Sequence, residues 1–266
     1  MGDEPRSIAA LNNLPPAEKE RRYAEIIPPT LLQRFGIDPA SMAGRDGHKL
    51  LTLTGGSGSS SVEIEVRHAP DALDPLFYCH LTDTITSQIM VLLAIINDPF
   101  SPRFDVDRLP DGTRTRFGTA QRNIPAETAA LQAGLAPGQI RRGLRALREM
   151  LATFEVFVDR LGHSMFFIEP LTYHNAILFE RYGFAYQQGQ RWMDSIHYRF
   201  SAPDGDLRAK LDGTTTPFRQ PEFANSVRGR SWAIHDGIMG EPYTGVHMYK
   251  HVGKHAEITT FPEGNW

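Results

Sequence analysis

The chain has 266 residues, 41% of them hydrophobic, enough for one large core or two small ones. Its 28 Lys and Arg nearly balance 31 Asp and Glu, which excludes an extended cationic surface, so no nucleic-acid partner is expected. A single cysteine, Cys79, excludes an intrachain disulfide, no basic-plus-apolar leader is evident, and the longest apolar run, 89–96, is too short to span a bilayer; a cytoplasmic chain without a membrane partner is the expectation.

Residues 1–50 read as an N-terminal helical extension, with helices over 16–26 and 29–35, each opened by a proline whose missing N–H costs nothing in a first turn. Gly36 is a fitting C-cap for the second. The GGSGSSS segment at 55–61 has too few side chains to order itself and reads as a linker or hairpin loop; no Lys follows it, which counts against a phosphate cradle. Val62, Ile64 and Val66 alternate with Glu63, Glu65 and Arg67, the period of a strand with one wet face. A second strand is expected over 76–81, then a buried helix over 87–96 stopped by Asn97, Asp98 and Pro99. The Asp-, Arg- and Gly-rich stretch 102–119 reads as a surface excursion, and 127–133 as a helix.

From Gln139 the apolar residues Ile140, Leu144, Leu147, Leu151, Phe154, Val158 and Leu161 recur at steps of three and four, predicting one long amphipathic helix. Residues 165–168 are short and apolar enough for a central strand. Trp192, Ile196, Tyr198 and Phe200 share parity, predicting a strand over 192–200, and short strands are expected at 231–235, 245–251 and 256–261. The domain reading is an extension at 1–50, an α/β domain at 51–200, and a β-rich C-terminal elaboration at 201–266 packed on it.

The run HNAILFERYGF at 174–184, preceded by a short strand and a long helix, resembles the closing motif of the GCN5-related N-acetyltransferase (acyl-CoA N-acyltransferase) superfamily, in which a strand is followed by a helix and a Gly-Phe turn. The resemblance spans 139–184, with Gly183 and Phe184 at the turn, Glu180 and Arg181 at charged helix positions, and Phe179 where the family commonly has a tyrosine that protonates the departing thiolate. It implies an acyl-CoA N-acyltransferase-like mixed sheet splayed at its centre, with acetyl-CoA or another acyl-CoA in the notch. Its pyrophosphate would then meet the loop Gly138, Gln139, Arg141, Arg142 and Gly143 at the start of the long helix.

Glu169, Tyr173 and His174 cluster where a central strand passes into a helix, and supply the candidate base and acid. The working function is transfer of an acetyl or other acyl group from coenzyme A to a small amine. One alternative is a metal-dependent enzyme on the same scaffold, with a divalent transition metal on His174, Glu169, His235, His247 or His251; in a strand, His247 and His251 share a face. The other is a non-catalytic small-molecule binding protein. The partner expected is a small-molecule substrate, and a homodimer is left open. No GxSxG elbow is present, and Cys79 in the apolar run LFYCHL reads as core.

Overall fold

The computed structural model describes residues 4–115 and 121–266. In chain order its elements begin with α1 (Ile8–Asn12), α2 (Pro16–Ala24), α3 (Pro29–Arg34), β1 (Leu51–Thr54), β2 (Ser61–Val66), β3 (Phe77–Asp83) and β4 (Ile89–Ile96). Then follow α4 (Ile124–Gln132), α5 (Leu147–Arg160), β5 (Met165–Ile168), α6 (Tyr173–Arg181), β6 (Ala185–Gln188) and α7 (Gln190–Ser201). The last are α8 (Asp206–Ala209), a 3-10 turn at Pro221–Asn225, α9 (Val227–His235) and β7 (His247–His251). Two compact units share the chain: Met1–Phe100 with Gly143–Ile168 and Tyr249–Lys254, and Ser101–Arg142 with Glu169–Met248 and His255–Trp266. Among the described residues, no helix is long and apolar enough to cross a membrane.

The first unit is a mixed sheet with helices. Strands β1 to β4 form an antiparallel meander, with Leu53 opposite Ile64 and Ile64 opposite Cys79. Alternation buries Val62, Ile64, Val66, Phe77, Cys79 and Leu81, and leaves Glu63, Glu65, Tyr78 and His80 half-exposed on the other face. Cys79 is core, and burial pushes its thiol up to about 12, which keeps it protonated. The GGSGSSS segment is the β1–β2 hairpin loop.

Residues 89–96, expected as helix, are strand β4. A continuous apolar run has no readable period, and here Ile89, Val91, Ile95 and Ile96 bring β-branched side chains that prefer a pleated sheet once β3 offers its edge. Strand order continues β4-β5-β7, and the β4–β5 pair is parallel with only Met90 opposite Phe167 and Val91 opposite Ile168. Beyond Val91, β4 runs on to Ile96 with no β5 partner. A bulge against β3, where His80 faces Leu93 and Leu81 faces Val91, leaves Leu92 as the extra residue. Asn97 then forms a bridge with Gly143. Helix α5 buries Met150, Leu151, Phe154, Phe157 and Val158, but starts at Leu147 rather than at Gln139. Arg145 has φ +60°, which no continuous helix admits, so Ile140 and Leu144 match the helical spacing without being helical.

The N-terminal helices are tied to the meander by polar side chains. Asp83, at the end of β3, accepts from Ile8 N (2.7 Å) and Ala9 N (2.9 Å), the first free donors of α1. Asn12 donates to the carbonyls of Ser59 (2.7 Å) and Ser61 (3.1 Å) and accepts from the Tyr23 hydroxyl (3.1 Å).

The second unit is mostly helical. Val106, Ala130, Leu135, Phe218 and Trp232 form a buried cluster, with Phe218 and Trp232 stacked 5.1 Å apart and Trp232 Nε1 donating to Leu135 O (2.8 Å). Val106 belongs to the stretch expected as a surface excursion, so that stretch contributes to the core; its residues 116–119 lie outside the described residues. Strand β6 pairs with β7, whose first residues, His247 and Met248, belong to this unit. Residues 192–200 are within α7, not a strand. The even spacing of Trp192, Ile196 and Phe200 is also a step of four, and Met193, Ile196 and Phe200 form a helical stripe. Residues 231–235 close α9, which Ser226 caps by accepting from Gly229 N (2.9 Å), and 256–261 form no strand. Within 201–266, His247–His251 is therefore the strand observed among the described residues, and the C-terminal part is helical and irregular rather than β-rich.

Replacing Asp83 with Ala should lower unfolding free energy by about 1–2 kcal/mol, the usual cost of losing a helix N-terminal acceptor. Amide exchange at Ile8 and Ala9 should accelerate at the same time; unchanged exchange there would mean Asp83 does not hold α1.

Candidate functional site

In the first unit, the parting of β4 from β5 leaves a length of strand edge between Val91 and the Asn97–Gly143 bridge. Strand edges carry backbone donors and acceptors that need partners. Leu93 on this stretch is 38% exposed. At its far end Gly143 lies so close that a Cβ there would come within 3.3 Å of the Ile96 carbonyl. The chain then passes through Arg145 in its left-handed conformation to Ala146, the N-cap of α5, which gives no side-chain hydrogen bond to the first turn. Arg145 and Arg148 are exposed beside these uncapped N–H groups.

Most of the loop expected to hold pyrophosphate is occupied with its own conformation, and its members Gly138, Gln139, Arg141 and Arg142 belong to the second unit. Gly138 makes a turn at φ +81°, and Gln139 accepts from Ala136 N (2.8 Å). Arg141 donates to Ser101 O, and Arg142 Nη2 to Ala133 O (3.2 Å). Gly143 and its uncapped successors are the part left open. Arg145 escaped the sequence reading because no residue type other than Gly or Asn signals positive φ.

The predicted acid and base diverge. Tyr173 and His174 open α6, but successive helical residues point about 100° apart. Tyr173 is fully buried, with its hydroxyl 3.5 Å from Arg230 Nη1, and burial pushes it up to about 12. His174 is also buried; its Nδ1 lies 2.8 Å from Ser231 Oγ and 3.0 Å from Thr172 Oγ1. Burial first, then the charges of Arg228 and His235, bring it from 6.5 down to about 3. It is a neutral ring closed between two hydroxyls, and Ser231 is as buried as its partner. Glu169 is half-buried, and no hydrogen bond or ion pair joins it to either residue among those described.

His235 is held differently. Its Nε2 is 3.1 Å from Glu127 Oε1, and Arg122 binds both Glu127 (Nε to Oε2, 2.9 Å) and Asp236 (3.0 Å). Arg219 and Thr216 complete Asp236 at 2.8 Å each. Burial alone would raise the Glu127 carboxyl, but the bonds from His235 and Arg122 outweigh it and hold the group below its ordinary range. His247 and His251 share the half-exposed face of β7, as their parity predicts. Among the described residues, no three His, Cys, Asp or Glu side chains come together as a metal would require.

The second unit also contains a groove of about 830 Å³, lined by Gln187, Gln190, Arg191, Trp192, Asp194 and Glu241 among others. No motif marks it in the sequence, because it is assembled where β6, the start of α7 and the loop before β7 meet.

His174 links this geometry to pH. Below about 6.5 the unfolded chain takes up a proton there that the folded chain refuses until about 3, so stability falls with decreasing pH through that window. Between pH 7 and pH 5, wild type should lose about 2 kcal/mol more unfolding free energy than His174→Asn. In NMR spectra of the folded wild type the His174 ring should not titrate from pH 8 to pH 5, and a midpoint within that range would contradict its enclosure. No family model, no curated protein and no solved structure matches this chain.

Proposed function

We propose that the chain binds an acyl-coenzyme A with its first unit and transfers the acyl group to a small amine. The observation that carries this reading is the stretch of β4 edge between Val91 and the Asn97–Gly143 bridge that has no β5 partner. The coenzyme's thioester arm is an extended chain of amides, and such a chain is bound by hydrogen-bonding along a strand edge as an added strand would. Its diphosphate would then meet the uncapped first turn of α5, with Arg145 and Arg148 beside it. In the reaction the amine nitrogen attacks the thioester carbonyl carbon, the C–S bond breaks, and the thiolate leaves to be protonated by water. The ammonium proton passes to Glu169, the residue that follows β5 in the chain. Tyr173 and His174 support α6 in this reading, because burial withholds both from an exchanging proton.

A cytoplasmic setting, where coenzyme A thioesters and a reduced Cys79 coexist, fits the same reading. A second reading, binding without turnover, is favoured by Phe179, a phenyl ring where the resemblance puts a proton donor.

Calorimetric titration with acetyl-coenzyme A should give saturable heat below about 1 mM, the upper range of ordinary substrate affinities. Silence at that concentration would remove the reading. Thiol release across an amine panel then separates transfer from binding alone; with Glu169→Gln, turnover should fall about 100-fold while the dissociation constant holds. At Arg145, replacement by Gly should weaken coenzyme binding about tenfold through loss of its charge and raise stability by about 1 kcal/mol through relief of the left-handed backbone. Replacement by Val should weaken both, which separates the loop's conformation from the arginine's charge.

A further inference from the structure

We propose that Arg228 and Arg142 form an oxyanion site in the second unit, suited to a phosphate or diphosphate group. Arg228 is the second residue of α9, where the helix dipole already presents positive charge. Its side chain is half-exposed, but its Nε is buried and has no hydrogen-bond partner. An orphaned buried donor costs free energy, and an orphaned charged donor costs more.

A neighbour on the same helix sharpens the contrast. Arg230 makes no hydrogen bond to a carboxylate and feels Glu263 only through space, yet its Nε reaches Ala224 O (2.7 Å), Nη1 reaches His197 Nδ1 (3.1 Å), and Nη2 reaches Ser201 Oγ (2.9 Å), while Phe261 lies 3.5 Å beneath the guanidinium. The fold thus completes the arginine it uses as structure and leaves the other incomplete.

Two guanidinium groups converge at the end of α4. Arg142 donates to Ala133 O, and an Arg228 Nη1 sits 3.8 Å from the place a Cβ on Gly134 would take. The two are close enough that, after burial, the charge of Arg142 is what most depresses the Arg228 guanidinium. The C-terminal end of α4 offsets only about half a charge. The buried acids of this unit that flank α4 and α9 are already engaged: Glu127 by His235 and Arg122, Asp236 by Arg122, Arg219 and Thr216. His174, on which the Arg228 charge also acts, is neutral and brings no compensation.

The chemistry of the missing partner follows from the donors. The Arg228 guanidinium and the N–H groups that Arg142 keeps beyond its bond to Ala133 O are met together by a tetrahedral oxyanion with oxygens on several sides, whereas a lone carboxylate offers one edge to one fork. A phosphate ester or diphosphate is therefore the class of ligand assigned.

The test is calorimetric titration of the full chain with sodium pyrophosphate at constant ionic strength, with sodium chloride as the screening control. Wild type should bind, and Arg228→Gln and Arg142→Gln should each weaken binding about tenfold or more, the scale of a charge-assisted hydrogen bond. Without ligand, Arg228→Gln should melt no lower than wild type, because an uncompensated cation has been removed. No saturable heat from wild type at about 10 mM pyrophosphate, well beyond ordinary ligand affinities, overturns the site. Equal affinities in wild type and a folded Arg228→Gln overturn it too. Pyrophosphate bound through Arg228 in a protein silent to acetyl-coenzyme A would keep this site and end the acyl-transfer reading, and acetyl-coenzyme A heat that is unchanged in Arg228→Gln would be assigned to the first unit.

Discussion

The first unit is organised by a mismatch of strand lengths. β4 runs from Ile89 to Ile96, whereas β5 has only Met165–Ile168 to pair with it. Pro170, two residues after Ile168, has no N–H to continue the ladder and limits the length of β5. Backbone groups on the rest of the β4 edge are therefore denied their natural neighbour. A bulge at Leu92 adds local twist at the point of separation, and the Asn97–Gly143 bridge closes the far end. The unpaired stretch of the β4 edge is thus framed at both ends by backbone hydrogen bonding.

How much of this was legible depended on whether a residue pattern had one reading or two. Val62, Ile64 and Val66 have a period that only a strand satisfies, and the prolines at Pro16 and Pro29 fixed helix starts that the structure keeps. The apolar stripe from Leu147 to Val158 likewise predicted α5. The failures share a cause. Eight successive apolar residues in β4 have no period, steps of four in α7 fit both a strand and a helix, and Ile140 and Leu144 extended the α5 stripe through a loop whose break, at Arg145, is a backbone angle rather than a side-chain type. At the candidate site, proximity in sequence placed Tyr173 and His174 together, but rotation around α6 separates them and burial disarms them. The strand edge and the groove were invisible, because each is made by absence or by distant segments.

Charge in the second unit is handled by two strategies. Around Trp232 and Phe218, cations and carboxylates are matched in a closed network in which Arg122 joins Glu127 to Asp236, with its guanidinium 5.1 Å from the Phe218 ring centre. Buried networks of this kind are stable only when every member is satisfied, since a single lost partner strands a charge at low dielectric. At His174 the alternative is used: the ring surrenders its charge and bonds to hydroxyls. The helix α9 carries both solutions within a few residues, which makes its packing against α6 and α4 sensitive to charge as well as to volume.

The hairpin loop at 55–61 has a consequence of its own. Asn12 grips the carbonyls of Ser59 and Ser61, so the arm leading into β2 is anchored, while a side chain added at Gly56 would meet no atom within 4 Å. Lengthening a flexible loop costs only about 0.6 kcal/mol per doubling. The tip at Gly56 is therefore a permissive insertion point, where a fluorophore tag or epitope can be carried without altering the register of the meander.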